Sequence, residues 1–208
     1  MQNRTIGKSD LHVAPLAFGG NVFGWTVDEA TSFKLLDAFV AGGFNLIDTA
    51  DMYSTWAPGH VGGESETVVG KWLKARGNRR NVVIATKVGG DMGEGKNLRK
   101  DYILRAVENS LKRLRTDYID LYQTHWDDLE TPVTETLEAL DMLVKNGELS
   151  FREREVLRCF LAGMSVTQIA LKFERSIKTI STQKQAAYKK LGVRNDNEIF
   201  KIRSQFES

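Results

Sequence analysis

The sequence predicts an α/β fold of four consecutive βα units, a (βα)4 segment, followed by an all-α domain of four helices. Two observations support this prediction. Residues 1–148 alternate short β-rich runs with helical patterns, whereas the apolar residues from Leu149 onward follow a helical period throughout. Residues 1–148 also hold 17 Lys and Arg against 21 Asp and Glu, whereas residues 149–208 hold 12 against 6. We therefore expect two differently built domains, 1–148 and 149–208.

The composition excludes several classes of protein. A chain of 208 residues that is 41% hydrophobic and 27% charged can bury a sizeable core. The single cysteine, Cys159, excludes a disulfide framework and a cysteine-rich metal site. The first 13 residues lack the apolar stretch of a signal peptide, and no apolar run reaches the ~18 residues that a membrane span requires. We expect a cytoplasmic protein with no metal site and no membrane segment.

In the first domain, four short strands each precede a helix. The predicted strands cover residues 16–18, 44–47, 82–86 and 118–123, and the predicted helices cover residues 28–41, 65–75, 101–114 and 133–144. Strands joined by crossover helices pair in parallel through right-handed connections. Polar residues at the strand ends recur regularly, with 39 residues from Asp48 to Lys87 and 38 from Lys87 to His125. This period is typical of a barrel of βα units, whose chemistry gathers at the carboxyl ends of the strands.

Four polar residues at three successive strand ends form a candidate catalytic site, namely Asp48, Tyr53, Lys87 and His125. A tyrosine can act as a general acid only if its proton leaves more easily than it does in water. The Lys87 cation would favour the phenolate, Asp48 would hold Lys87 charged and oriented, and a neutral His125 could hydrogen-bond a substrate carbonyl. The four together are predicted to polarise and protonate a C=O group, although each one alone is more simply explained as an ordinary strand-end residue.

The motifs around these residues resemble those of the aldo-keto reductases. The resemblance rests on residues 44–53, 63–66, 84–87 and 117–125, and it extends over roughly residues 4–147. It implies a (βα)8 TIM-type barrel in which Asp48, Tyr53, Lys87 and His125 form the catalytic tetrad. It also implies that Tyr53 is the proton donor and that NADPH supplies the hydride.

The resemblance stops halfway through the barrel. A complete barrel takes ~250 residues and eight strands, whereas this pattern ends at residues 143–147, where the fifth strand would begin. In the family, most of the NADPH pocket is built by loops after the last strands. Gly20 and Asn21, after the first strand, could touch a nicotinamide, but we expect the truncated half-barrel not to bind NADPH. Its two open sheet edges favour association, either as two copies that close an eight-stranded ring or as less ordered aggregates.

Two further motifs suggest ligands that we do not expect. Residues 90–96 follow a strand and resemble a phosphate loop, but Asn97 stands where Ser or Thr should bind magnesium. Asp127 and Asp128 follow His125 closely, but no further ligand lies at metal-binding spacing. We interpret both segments as solvated loops.

The second domain is predicted to contain four helices, over residues 151–162, 166–173, 177–191 and 195–205. Ser150 with Glu153 and Ser165 with Gln168 are capping boxes, and Gly163 stands where a helix would end. The connections between these helices are short, and apolar residues at helical spacing supply a compact core. This arrangement indicates a small helical bundle.

One face of the third of these helices is polar and cationic, and it lies opposite the apolar Ile180, Ala187 and Leu191. Short hydroxyls and an amide flanked by Lys suit the major groove of DNA, where small polar groups reach base edges and cations meet phosphates. A solvated helix face is the alternative. The preceding short helix, the tight turn over residues 174–176 and the cationic excess favour DNA binding.

Residues 149–208 resemble the LuxR-type (NarL/FixJ-type) helix-turn-helix domain of bacterial transcription regulators. The resemblance rests on residues 149–157, 169–170, 176–181 and 190–193. It implies DNA contacts by Lys178, Thr179, Ser181, Thr182, Gln185 and Lys189, with Lys184 as a further phosphate contact. It also implies dimerisation through the last helix, at residues 197–206.

We interpret the chain as a chimera of an incomplete aldo-keto reductase and a complete, sequence-specific DNA-binding domain, made artificially or by genomic rearrangement. Double-stranded DNA is the expected ligand, with a homodimer or higher association as the expected assembly. An NADPH-dependent reductase of aldehydes or ketones, completed by another subunit, is the alternative. A scaffold with neither activity is a third hypothesis.

Overall fold

A computed structural model of the protein describes residues 2–147 and 151–201. The chain divides into two compact units between Thr136 and Leu137. The predicted junction between residues 148 and 149 lies outside the described residues. None of the helices in the described ranges is both long enough and apolar enough to cross a membrane.

The first unit contains a four-stranded parallel sheet, as the sequence predicts. Its strands lie in the order β3-β4-β5-β6, after a short antiparallel hairpin of β1 and β2 that the sequence analysis did not predict. The strands are β1 (Arg4–Thr5), β2 (His12–Val13), β3 (Ala17–Gly19), β4 (Leu46–Asp48), β5 (Val83–Val88) and β6 (Leu121–Thr124). The helices that follow the four parallel strands are α1 (Glu29–Ala41), α2 (Glu64–Arg76), α3 (Lys100–Leu114) and α4 (Val133–Gly147). The predicted (βα)4 order is thus confirmed.

The register of the sheet brings the ends of β3 and β4 level, whereas β5 and β6 end level with each other three residues further along. Gly19 pairs with Asp48, and Asp48 pairs with Ala85. Two residues further along β5, Lys87 pairs with Gln123 of β6. Because all four strands run in the same direction, the loops that follow them emerge at one rim of the sheet.

One face of the sheet packs on α1 and α2 to form the core of the first unit. Ile47 of β4 and Ile84 of β5 are fully buried in this core. Their helical neighbours include Leu36 of α1 and Trp72 of α2, which are also fully buried. Alternate residues of a strand point to opposite faces, so the neighbours of Ile47 and Ile84 along the chain point to the face that would line a barrel.

The second unit, which by this division begins within α4, also contains the four predicted helices, α5 (Phe151–Leu161), α6 (Val166–Lys172), α7 (Ile177–Leu191) and α8 (Asp196–Lys201). The predicted capping box at Ser165 and Gln168 is present, with both reciprocal hydrogen bonds. The predicted cap at Ser150 and the predicted helix beyond residue 201 lie outside the described residues. Leu157, Ile169, Ile180 and Ile199, from four different helices, are buried in the two apolar clusters of this unit.

Candidate functional site

The fold brings together side chains from three consecutive strand ends at the rim of the sheet. Asp48 is the last residue of β4, and Tyr53 lies in the loop that follows it. Lys87 lies near the end of β5, and His125 follows β6 directly. The backbone N–H of His125 donates to the carbonyl of Val88 at 2.7 Å, which ties the end of β6 to the end of β5.

Lys87 is the centre of this cluster. Its Nζ donates to both carboxylate oxygens of Asp48 at 2.7 Å and to the carbonyl of Thr49 at 3.0 Å. Lys87 Nζ also lies 2.9 Å from the Tyr53 hydroxyl, which in turn donates to Asp48 Oδ2 at 3.2 Å. The Lys87 and Asp48 side chains are 15% and 28% exposed, so solvent screens their ion pair only in part. A cation is therefore held directly against the oxygen of a tyrosine.

His125 lies against the same tyrosine. The rings of His125 and Tyr53 meet edge to face, with 5.7 Å between their centroids. Burial lowers the pKa of His125, and the Lys87 cation lowers this pKa further, whereas Asp48 opposes both. A lowered pKa disfavours the imidazolium, so the surroundings of His125 favour its neutral form. A neutral imidazole carries one N–H and can donate a hydrogen bond to a carbonyl oxygen.

Three half-exposed tryptophans surround the cluster, and the sequence analysis did not single them out. Trp25, Trp56 and Trp126 are 44%, 48% and 46% exposed. The Trp56 ring lies 6.2 Å from Tyr53 and 5.6 Å from Trp25, while Trp126 stacks on His125 at 5.7 Å. Their proximity to Tyr53 and His125 in the sequence was the available signal for Trp56 and Trp126. The rim therefore presents flat apolar surfaces beside the polar cluster.

A buried acidic pair close to this rim was also not predicted. Glu66 is fully buried, accepts from Arg113 Nε at 2.6 Å and accepts from the Thr86 hydroxyl at 2.6 Å. Asp51 is 2% exposed, and its Oδ1 has no hydrogen-bond partner among the described residues. Burial, together with the nearby Glu66 carboxylate, raises the pKa of Asp51 to about 7. Asp51 therefore carries a proton over much of the pH range in which an exposed aspartate is ionised.

The two residues predicted to touch a nicotinamide differ in their surroundings. Gly20 is buried and donates from its N–H to the carbonyl of Asp48 at 2.8 Å. A Cβ at Gly20 would lie 3.0 Å from both the Asp48 carbonyl and the Ser65 hydroxyl. Close packing therefore accounts for the glycine without a ligand, whereas Asn21 is exposed.

The glycine-rich loop over residues 90–96 does not offer a phosphate grip. Asp91 Oδ1 accepts from the N–H groups of Gly93 and Gly95, at 2.8 and 3.0 Å. The N–H groups of Gly93 and Gly95, which a phosphate would need as donors, are therefore already bonded to the Asp91 carboxylate. The interpretation of this segment as a loop without a phosphate ligand agrees with these hydrogen bonds.

The second candidate site is the outer face of α7. Lys178, Thr179, Thr182, Gln185 and Lys189 are exposed, and Ser181 is half-buried. The hydroxyl of Thr182 donates to the carbonyl of Lys178 at 2.9 Å, and that of Thr179 lies 2.8 Å from the capping hydroxyl of Ser176. Both threonine hydroxyls thus already have partners, Thr182 within α7 and Thr179 at the residue that caps it.

Lys184 does not belong to this face, so its assignment as a phosphate contact is corrected here. Only 8% of Lys184 is exposed. Its Nζ forms a 2.8 Å ion pair with Asp196 of α8 and lies 3.5 Å from the centroid of the Phe160 ring. Lys184 also lowers the pKa of the Asp196 carboxyl through this hydrogen bond. The Lys184 charge is therefore neutralised by Asp196 within the domain.

The fold and the two sites define the class of each part. A parallel βα sheet with an Asp, Tyr, Lys and His cluster at its carboxyl rim is typical of barrel oxidoreductases, and the capped helices around α7 are typical of helix-turn-helix domains. The chain belongs to the aldo/keto reductase family, whose sequence profile matches residues 15–150. The profile of the bacterial regulatory proteins of the luxR family matches residues 147–202.

Individual relatives agree with this assignment. The aldo-keto reductase YhdN of Bacillus subtilis is 41% identical over 147 residues, which cover 69% of this chain and 42% of YhdN. The protein tas of Escherichia coli is 43% identical over 133 residues, covering 61% of this chain and 38% of tas. Among solved structures, an aldo-keto reductase from Bacillus halodurans in its holo form is 42% identical, with a TM-score of 0.61. That match covers 71% of this chain and 47% of the other, so this chain spans about half the length of the reductases it matches.

Proposed function

We propose that this protein is a chimera whose working part binds double-stranded DNA in a sequence-specific manner through α7. The observation that carries this proposal is the exposed polar and cationic face of α7, held in place by the buried Ile180 and Ala187 on its other side. The match of residues 147–202 to the luxR family supports it. In this role the domain acts as the DNA-binding part of a transcription regulator.

The side chains of this face differ in the contacts that they can make. Gln185 carries both an amide donor and a carbonyl acceptor, so it suits the edge of an adenine in the major groove. Lys178 and Lys189 suit phosphates, because a flexible ammonium binds the negative charge of the DNA backbone and does not distinguish one base from another. The hydroxyls of Thr179 and Thr182 have partners already, but each keeps a lone pair that could accept a hydrogen bond from a base edge. Dimerisation through α8 would pair two such faces on a two-fold operator.

The proposal is tested by selection of duplexes from a random-sequence library, followed by fluorescence anisotropy. Wild type should enrich one motif, and Gln185→Ala should lose about 10- to 100-fold in affinity for it, since a good base contact contributes ~1–3 kcal/mol. Lys189→Ala should weaken binding to all duplexes alike. Lys8→Ala is the matched control, because it removes one exposed positive charge from the first unit, outside both α7 and α8. Equal and negligible binding to every duplex would refute the proposal.

We also propose that this chain alone does not bind NADPH, because residues from 147 onward match a different family where further βα units would be needed. The rival function, reduction of an aldehyde or ketone with NADPH, is favoured by the assembled tetrad. In that reaction Tyr53 would donate the proton, Lys87 and Asp48 would position it, and His125 would hold the carbonyl. A titration of NADPH fluorescence separates the two proposals, since micromolar binding would support the rival.

A further inference from the structure

The first unit leaves both edges of its sheet without a neighbouring strand. Among residues 2–147 and 151–201, β3 pairs only with β4, and β6 pairs only with β5. Exposed edges of this kind offer rows of N–H and C=O groups to another chain. Leu16, which precedes β3, is 53% exposed, and Tyr118, which precedes β6, is 37% exposed. The β3 edge therefore combines open backbone groups with apolar surface, whereas at the β6 edge the Arg79 guanidinium covers the Tyr118 ring, 3.7 Å from its centroid.

The direction of the open N–H groups follows from the observed hydrogen bonds. Gly20 N–H points to β4, where it reaches Asp48, and His125 N–H points to β5, where it reaches Val88. Because successive N–H groups of a strand point to opposite sides, those of Ala17 and Thr124 point away from the sheet. These two residues thus present donors at the two opposite edges.

We propose that a second copy of this chain covers both edges, so that two half-barrels form one closed ring of eight parallel strands. A two-fold axis that coincides with the central axis of the ring would place β3 of each copy beside β6 of the other. All edges would then be paired at once, in an isologous assembly that cannot grow further. A single added strand of another partner could pair only one edge. Eight is also the number at which a parallel ring closes around side chains that fill its interior.

Two further observations favour a second copy over an unrelated partner. One copy covers 47% of the solved Bacillus halodurans reductase with a TM-score of 0.61, so two copies supply close to one complete barrel. The charges at the rim are also compatible with closure, because Asp48 and Lys87 neutralise each other within one copy. This ion pair therefore adds no unpaired charge to the interior of the ring. This inference goes beyond the DNA-binding proposal and does not depend on it.

Replacing Ala17 or Thr124 by proline removes one of the open N–H groups and therefore tests whether the sheet edges pair. An edge strand tolerates proline where its N–H faces solvent, but a paired strand does not. If the ring forms, Thr124→Pro and Ala17→Pro should each raise the dissociation constant of the dimer at least 100-fold while each subunit keeps its circular dichroism spectrum. Thr124→Val is the matched control and should leave the dimer intact, because it keeps the N–H group.

The measurement is light scattering on the full chain after size-exclusion chromatography, from 1 to 100 µM. Wild type should show twice the chain mass of 23.4 kDa. Hydrogen exchange on wild type provides a readout that needs no variant, and the amides of Ala17 and Thr124 should be protected. A monomer at 100 µM, a mixture of large aggregates, or a dimer in which the amides of Ala17 and Thr124 exchange freely would overturn the inference. The last of these results would indicate a dimer held by α8 alone. DNA binding is measured separately on variants of α7, so failure of either proposal can be recognised.

Discussion

The buried Asp51 leads to a specific prediction about stability and pH. Its pKa is raised from 3.8 to about 7, first by burial and then by the neighbouring Glu66 carboxylate. The folded state therefore holds a proton that the unfolded state releases as the pH rises above about 4. The contribution of Asp51 to stability falls by ~1.4 kcal/mol per pH unit in this window, and it levels off above pH 7. Between pH 5 and pH 8 the loss amounts to about 3 kcal/mol.

Asp51→Asn removes this proton equilibrium while it keeps the size of the side chain. The difference in unfolding free energy between the variant and wild type should therefore shift by about 3 kcal/mol in favour of the variant from pH 5 to pH 8. The assay is urea unfolding followed by tryptophan fluorescence. All four tryptophans precede residue 137, so the signal reports the first unit alone.

The matched control for this experiment is Asp10→Asn, which changes an exposed aspartate in the hairpin between β1 and β2. Its difference from wild type should not vary with pH over the same range. A difference between Asp51→Asn and wild type that is also constant from pH 5 to pH 8 would refute the reasoning. In that case the folded state would not hold the Asp51 proton.

Three further predictions concern packing, the candidate catalytic site and the DNA-binding face. Gly70→Ala should destabilise the first unit by ~1–3 kcal/mol in urea unfolding, because its Cβ would clash with the backbone carbonyl of Arg113. Lys87→Met should raise the pKa of His125 in an NMR titration, since Lys87 is one of the two causes that lower it; an unchanged pKa would contradict this. Lys189→Ala should reduce the slope of log affinity against log salt by ~0.9 if Lys189 contacts one phosphate, and an unchanged slope would exclude the contact.

Much of the fold could be predicted from the sequence, because the local signals agree with the tertiary structure. The helix predicted over residues 177–191 has these same ends in the structure. Ser176 caps its first turn, and Gly192 ends it with a left-handed backbone conformation. The candidate catalytic residues were recognised for a similar reason, since parallel strands bring their carboxyl ends to one rim. The roles of these residues stay predictions.

Other features could not be predicted, because they depend on contacts between distant parts of the chain. The hairpin of β1 and β2 has strands of only two residues, too short to show an alternating pattern. It is held by Asn45, which accepts from Ala14 N–H and donates to the carbonyl of His12. In the sequence, Lys184 resembles the other lysines of a cationic helix. Its ion pair with Asp196 forms only when α7 packs against α8, so its burial could not be predicted.

The loop around Asp91 has a further consequence. The N–H groups of Gly93 and Gly95 bind an anion, and this anion is the Asp91 carboxylate of the same loop. Replacing Asp91 by alanine would expose two oriented donors to solvent, and free phosphate or sulfate would be the natural occupants. The Asp91 side chain thus occupies both of these backbone donors in the folded chain.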